Sequence, residues 1–322
     1  MNRIALLYPY FGPLPPFFHT WLKAAAYNSG FDFLLYTDQS LPRVLPPNVR
    51  ARQMTFPEFC GMVQRLYDFP LALERPYKIC DFRPAFGEIF AFDLVGYTHW
   101  GYGDLDVICG DFANFLTPQR LDRYERISHY GHLSVYRNTP RMNRLYRCAY
   151  EGEEVWRQVF QDPAGHTFDE WWDGRGIEQI ALAQGVQEFR ALELAGVERP
   201  YKKKRLCFRF ELNGESLPED RDIVFLWQRG RLYACTLRDG ETVESCRQYC
   251  YAHFQKRRIA FPPEMEQGTR IPDEFWVVPN RILCGGLPQV AEYLHSEEYR
   301  AAWQQEEENF VQIGRASCRE RV

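Results

Sequence analysis

Trp100-Gly101-Tyr102-Gly103-Asp104-Leu105-Asp106-Val107-Ile108-Cys109 is the stretch on which both the fold and the chemistry turn. Aromatic residues lead into Asp104 and apolar ones follow Asp106, so the segment reads as the end of a buried strand. In an extended backbone, side chains two apart point to one face. Asp104 and Asp106 then present two carboxylates to one point, with Leu105 turned into the core. Paired carboxylate oxygens suit a hard divalent cation, which is typically shared with substrate phosphates. Acidic triplets are common on loops; the position at a strand end, in the first third of an alternating chain, is what gives this one weight.

Upstream, Ile4-Ala5-Leu6-Leu7-Tyr8 is a short apolar run stopped by Pro9, a first buried strand. Phe17 to Tyr27 has helical spacing and Asn28-Ser29-Gly30 ends it. Phe31 to Tyr36 and Val49 to Met54 read as two further strands. This strand–helix–strand alternation predicts a right-handed crossover and a mostly parallel sheet. A helix is expected over Phe56 to Leu73. Another is expected after Pro84, burying Phe86, Ile89, Phe90 and Leu94 and ending at Gly96. Later, Gly131 to Asn138 reads as a strand and turn, Arg141 to Phe160 as helix, and a further helix starts at Ile177. Residues 206–212, 223–228 and 231–238 alternate like strands, with Arg229-Gly230 turning the last two as a hairpin. The expected class is α/β: a mostly parallel central sheet flanked by helices, with a smaller antiparallel β region in the C-terminal half. We expect one continuous domain with two functional halves, residues 1–125 and 126–312.

Composition narrows the function. The net charge is −4 and no large basic block occurs, which argues against nucleic acid. Lys202-Lys203-Lys204-Arg205 is the one basic cluster, a solvated loop or a contact for anionic lipid. Aromatics make up 16% of the chain, enough for sugar-stacking surfaces, although a Phe- and Tyr-rich core is the plainer explanation for any single ring. None of the ten cysteines is spaced Cys-any-any-Cys. Cys109, Cys207, Cys235 and Cys284 sit in apolar strands, where a reduced thiol behaves as a small hydrophobe, and Cys246 and Cys250 would share one face of a helix. With no signal peptide and no apolar run long enough to span a bilayer, a reducing cytoplasm is expected. The last ten residues, Ile313 to Val322, closely resemble a translated sequencing-adapter read and are set aside from the fold; the body without them carries −6.

Several motifs occur in a fixed order. They are Tyr8-Pro9-Tyr10-Phe11-Gly12, Tyr36-Thr37-Asp38, the block Tyr77 to Gly87, Trp100 to Asp106, Gly131-His132-Leu133, and His253-Phe254-Gln255-Lys256-Arg257. Together, over about residues 3 to 285, they resemble a bacterial family of glycosyltransferases from capsule and surface-polysaccharide clusters, similar to the GT-A nucleotide-sugar transferases. The resemblance implies a GT-A-like fold and a hexosyltransferase-type reaction in which a sugar leaves a nucleotide-diphosphate donor, UDP-linked above all. The acceptor it implies is a saccharide, free or lipid-linked, with peripheral association at the inner face of the membrane. It implies Mn²⁺ or Mg²⁺ held by Asp104, Asp106 and a C-terminal histidine matched here by His253, with Lys256 on the diphosphate. Asp106 would be the more direct ligand and Asp104 would reach the ribose or a metal-bound water. Such an ion neutralises charge on the leaving diphosphate, and imidazole with carboxylates is a usual Mn²⁺ shell. As a lone histidine, His253 reads equally as a surface or core residue.

The other candidates keep two readings each. Asp38 ends a strand at the edge where open α/β sheets bind ligands; it holds the base or ribose, with Tyr8 or Phe11 beside the ring, or it caps a turn. Lys78, Asp81 and Arg83 precede the helix leading to the aspartates. Arg83 at a helix start suggests an anion nearby, while Asp81 bonds a ribose hydroxyl or caps the helix. Asp169 and Glu170, between Phe168 and Trp171-Trp172, are the candidate general base on the acceptor side, or an N-cap and first-turn acid. Trp171 and His132 line that side, His132 alternatively being a satisfied core histidine; Asp111 reads as structural. The alternative to an enzyme is a non-catalytic nucleotide- or carbohydrate-binding protein on the same fold. A nucleotidyltransferase is disfavoured, because Pro9 to Pro16 offers one glycine and no Lys or Arg for a phosphate loop.

Overall fold

A computed structural model describes residues 2–170, 172–190, 194–198, 207–210, 222–254, 259–278 and 280–302. The N-terminal strands are β1 (Ile4–Pro9), β2 (Phe31–Thr37), β3 (Val49–Gln53) and β4 (His99–Gly103); β5 (Val107–Cys109) follows the aspartates. Next come β6 (Arg126–Tyr130), β7 (Leu133–Arg137), β8 (Glu188–Phe189), β9 (Leu194–Glu198) and β10 (Cys207–Phe210). The last six are β11 (Asp222–Gln228), β12 (Arg231–Arg238), β13 (Thr242–Tyr249), β14 (Tyr251–His253), β15 (Glu274–Val278) and β16 (Arg281–Leu283).

They form three sheets. The largest has the order β3-β2-β1-β4-β7-β6-β8, parallel from β3 to β4 and again between β6 and β8, with β7 antiparallel to both its neighbours. Its central strands are apolar on both faces because both faces are covered. Leu6, Phe33 and Leu35 point to one core with Trp21, while Ala5, Leu7, Leu34 and Tyr36 point to another with Phe59, Phe82 and Trp100. The second sheet, β10-β9-β14-β5, joins β5 to strands from the C-terminal half, and the antiparallel third, β13-β12-β11-β15-β16, lies wholly in that half. Phe225 and Trp227 of β11 enter the first core, and Val224 faces a third core under helix Leu287–His295. The Arg229-Gly230 hairpin forms as expected, both residues at positive φ (47° and 82°), the left-handed pair that a two-residue turn demands.

Helices are shorter than the periodicity suggests. Phe56–Gln64 is helical, opened by a capping box between Thr55 and Glu58, and stops well before Leu73. Pro76–Ala85 is a 3₁₀ segment that runs into one turn, Phe86–Ile89; Phe86, Ile89, Phe90 and Leu94 are nonetheless buried. Between 140 and 161 the single expected helix is broken into Pro140–Asn143, a 3₁₀ turn at Leu145–Arg147 and Val155–Gln161. The cysteine expectation is corrected at two positions. Cys246 lies on a strand, not a helix, and Cys235 is not a free thiol: the two stand opposite each other on β12 and β13 and are joined as a disulfide. No helix among the described residues is long and apolar enough to cross a membrane. The cluster Lys202 to Arg205 and the final ten residues lie outside the described residues.

Candidate functional site

Asp104 and Asp106 do not sit within a strand; they form the bend that carries the chain from β4 in the first sheet to β5 in the second. Leu105 is buried and both carboxylates are half-buried, so the shared face arises from the bend rather than from extended pleating. Two strand registers build the rest. Gly103 pairs with Leu133 across β4 and β7, which lays the Gly131-His132 turn against Asp104, whose backbone N–H donates to His132 O at 3.3 Å. Val107 pairs with His253 across β5 and β14, which sets His253 beside Asp106. His253 Nε2 lies 3.7 Å from Asp104 Oδ2 and 3.6 Å from Asp106 Oδ1.

One ligand atom from each of these three residues falls within 4.8 Å of the others. An ion bound at about 2.1 Å brings donor atoms to within about 4 Å of one another, so the His253 distances fit a shared ion. Burial disfavours charge on His253, but the hydrogen bond to Asp106 and the charges of Asp104, Asp106 and Glu170 outweigh it and raise the imidazole above its usual value.

Asp169 and Glu170 reach the same place from a distant segment. Arg83 donates to Asp169 Oδ2 and to Gly131 O, each at 2.9 Å, and also to Asp104. The Gly131 N–H donates to Glu170 Oε1 at 2.7 Å. A Cβ on Gly131 would stand 2.6 Å from Asp169 Oδ2 and 3.1 Å from Arg83 Nη1, so only glycine allows this convergence. Burial, helped by Glu170 and opposed by Arg83, pushes the Asp169 carboxyl up to about 7. Burial works against the Arg83 charge too, yet Asp104 and Asp169 hold it well above the ordinary value. Backbone torsions are unusual here: Thr167, Trp172 and Asp173 all have positive φ, the strain that clusters at functional sites.

Other predicted residues lie elsewhere. Tyr8 and Phe11 do not offer an open ring for a base: both are buried, Tyr8 between Trp21 and Phe33 and Phe11 against Phe56 and Phe59. Their apolar flanks read as well for core as for a ligand. Half-buried Tyr10 is the ring whose hydroxyl feels Asp106 and Asp104; its place in the same motif was the available signal. Lys78 and Asp81 are buried and bonded within the chain. Lys78 Nζ donates to Asp81, Val159 O and Ala164 O, and Asp81 accepts the N–H groups of His166 and Phe168. They fix the segment that delivers Asp169. Asp38 is exposed and accepts from Gly12 N–H and Gln39 Nε2, which hold its carboxyl below the usual range. Asp111 caps the short 3₁₀ turn Phe112–Asn114. His132 packs beside His253. Trp171 and Lys256 lie outside the described residues.

A family model described as "Family of unknown function (DUF6625)" matches residues 6–285. No curated protein matches the chain. Among solved structures, the glycosyltransferase GlyE of Streptococcus pneumoniae TIGR4 is similar at 12% identity, covering 51% of this chain and 44% of its own, with a TM-score of 0.28. This chain therefore spans less than half of GlyE. The galactosyltransferase LgtC, in complex with donor and acceptor sugar analogs, is similar at 11% identity over 60% of this chain and 75% of its own, TM-score 0.32.

Proposed function

We propose that this chain, which belongs to the DUF6625 family, is a metal-dependent glycosyltransferase moving a sugar from a nucleotide-diphosphate sugar to a saccharide acceptor. The observation that carries the reading is the meeting of Asp104, Asp106 and His253 at the carboxyl end of the parallel strands β1, β2 and β4. That edge is where open α/β sheets take ligands. The ordered motifs from Tyr8 to His253 support the same class. Asp104, Asp106 and His253 would hold the ion, which as a Lewis acid neutralises charge on the departing diphosphate.

The remaining chemistry belongs to the chain itself. Arg83 ties Asp104 to Asp169 and so fixes the distance between donor and acceptor carboxylates. Of the acidic pair, Asp169 is enclosed and Glu170 is half-exposed, so Glu170 is the carboxylate placed to take a proton from an acceptor hydroxyl. Tyr10, half-buried and with a hydroxyl that feels Asp106 and Asp104, would be the ring for the nucleotide.

Turnover of UDP-sugars with Mn²⁺, with release of UDP as readout, tests the reading. Asp106→Asn is expected to lower transfer at least ~100-fold, as loss of a major electrostatic contribution does, with unchanged circular dichroism. Mn²⁺-dependent transfer persisting in that variant would overturn the assignment. UDP binding without release from any donor–acceptor pair would leave a nucleotide-binding protein.

A further inference from the structure

A histidine ligand is usually oriented by a hydrogen bond on its second ring nitrogen. His253 lacks that device: its Nδ1 is buried and finds no partner among the described residues. What holds the ring is a face. The His132 imidazole lies over it with centroids 4.3 Å apart and planes 25° from parallel. His132 is in turn fixed from two sides. Its Nδ1 is 2.6 Å from the hydroxyl of Tyr251, which is buried, and the Tyr130 ring is stacked with it at 5.0 Å and 2°. Tyr251 and His253 are two apart on β14 and so project to one face, one bonding the edge of His132 and the other meeting its plane. Tyr130 ends β6, and His132 sits in the turn that follows.

We propose that His132 is a positioning residue for the metal site: the Tyr130–His132 stack, anchored by Tyr251, orients His253 toward the ion. This rests on the metal reading above and gives His132 a place behind the ligand rather than on the acceptor. Stacking substitutes for the missing hydrogen bond because a flat ring against a flat ring removes the rotation about the Cβ–Cγ bond that would turn Nε2 away from Asp104 and Asp106.

The test compares Mn²⁺ binding, read from the electron paramagnetic resonance of free Mn²⁺ without substrate, in wild type and two variants. Both variants carry Tyr251→Phe, so that no buried hydroxyl is orphaned. With His132→Phe the stack is restored by another flat ring, and Mn²⁺ affinity is expected within about threefold of wild type. With His132→Ala it is expected to fall by roughly 10- to 100-fold, the usual effect of losing a ligand's support. Equal affinity in the two variants, high or low, overturns the proposal while leaving the site assignment standing if wild type binds. No binding by wild type overturns the metal reading and this inference with it.

Discussion

Replacing Asp169 by asparagine tests the electrostatics of the cleft. The side chain is 4% exposed, and burial above all lifts its carboxyl from 3.8 to about 7. Because the folded value lies above the unfolded one, the native state holds the proton more tightly. The resulting stability is complete below the unfolded value and is lost as pH rises through about 7. Taken from about pH 5 to about pH 8, this loss amounts to about 2.5 kcal/mol, at about 1.4 kcal/mol per unit of difference. Asparagine has the same shape, cannot ionise, and can still accept from Arg83 through its amide oxygen. The variant is therefore expected to gain about 2.5 kcal/mol on wild type across that interval, whatever its offset at the acid end. Urea unfolding followed by tryptophan fluorescence, repeated at several pH values, gives the difference directly. A difference that stays flat to within about 0.5 kcal/mol would refute the reasoning; Asp169 would then be ionised throughout, with the Arg83 pair outweighing burial.

Two further outcomes concern parts of the fold that serve the site. Lys78→Met leaves Asp81 buried with its N–H donors but no cation, and is expected to destabilise by about 3–5 kcal/mol; adding Asp81→Asn should return part of it, and a loss under about 1 kcal/mol in urea unfolding would show that the pair does not clamp the 162–168 segment. Cys246→Ser opens a disulfide whose partners are 11 apart, worth about 3 kcal/mol by chain entropy, and the difference from wild type should vanish in excess dithiothreitol; a melting temperature independent of both the substitution and the reductant would exclude the bond.

Periodicity made the main sheet legible because its strands are short apolar runs covered on both faces, and the Arg229-Gly230 hairpin declares its own geometry. Helix lengths were not legible. Glu151 and Gly152, both at positive φ, break an apolar pattern that the cores accept in pieces, so Met142, Leu145, Trp156 and Phe160 are buried without one helix joining them. At the site, ligand types were legible and neighbourhoods were not. Asp106 meets His253 through the Val107–His253 register, and Asp104 meets Asp169 through Arg83. Neither pairing leaves a local trace in spacing. Lys78 and Asp81 show the converse: three apart beside Arg83, they resemble ligand residues, and only their burial separates them from it. The disulfide was illegible for the same reason as the site, since it depends on which residues face each other across β12 and β13.

The charge balance of the cleft explains why its proton affinities shift as they do. Asp104, Asp106, Asp169 and Glu170 converge against one guanidinium, Arg83, and one imidazole, His253. With all carboxylates ionised and both bases charged, the cluster still lacks two positive charges, and enclosure makes that deficit expensive. His253 holds the charge already counted more firmly than usual, and the proton that Asp169 keeps up to about pH 7 removes one of the two missing charges. A dication held through His253 would need the neutral imidazole, which raises the deficit to three, and would leave a single negative charge on the cluster. Its binding would compete directly with the His253 proton and, through charge, with the Asp169 proton. The Asp169 proton also separates two roles that the sequence left joined. A carboxyl that is enclosed and bonded to Arg83 balances charge, while its neighbour Glu170 is half-exposed and, in the proposed reaction, would keep access to an incoming hydroxyl.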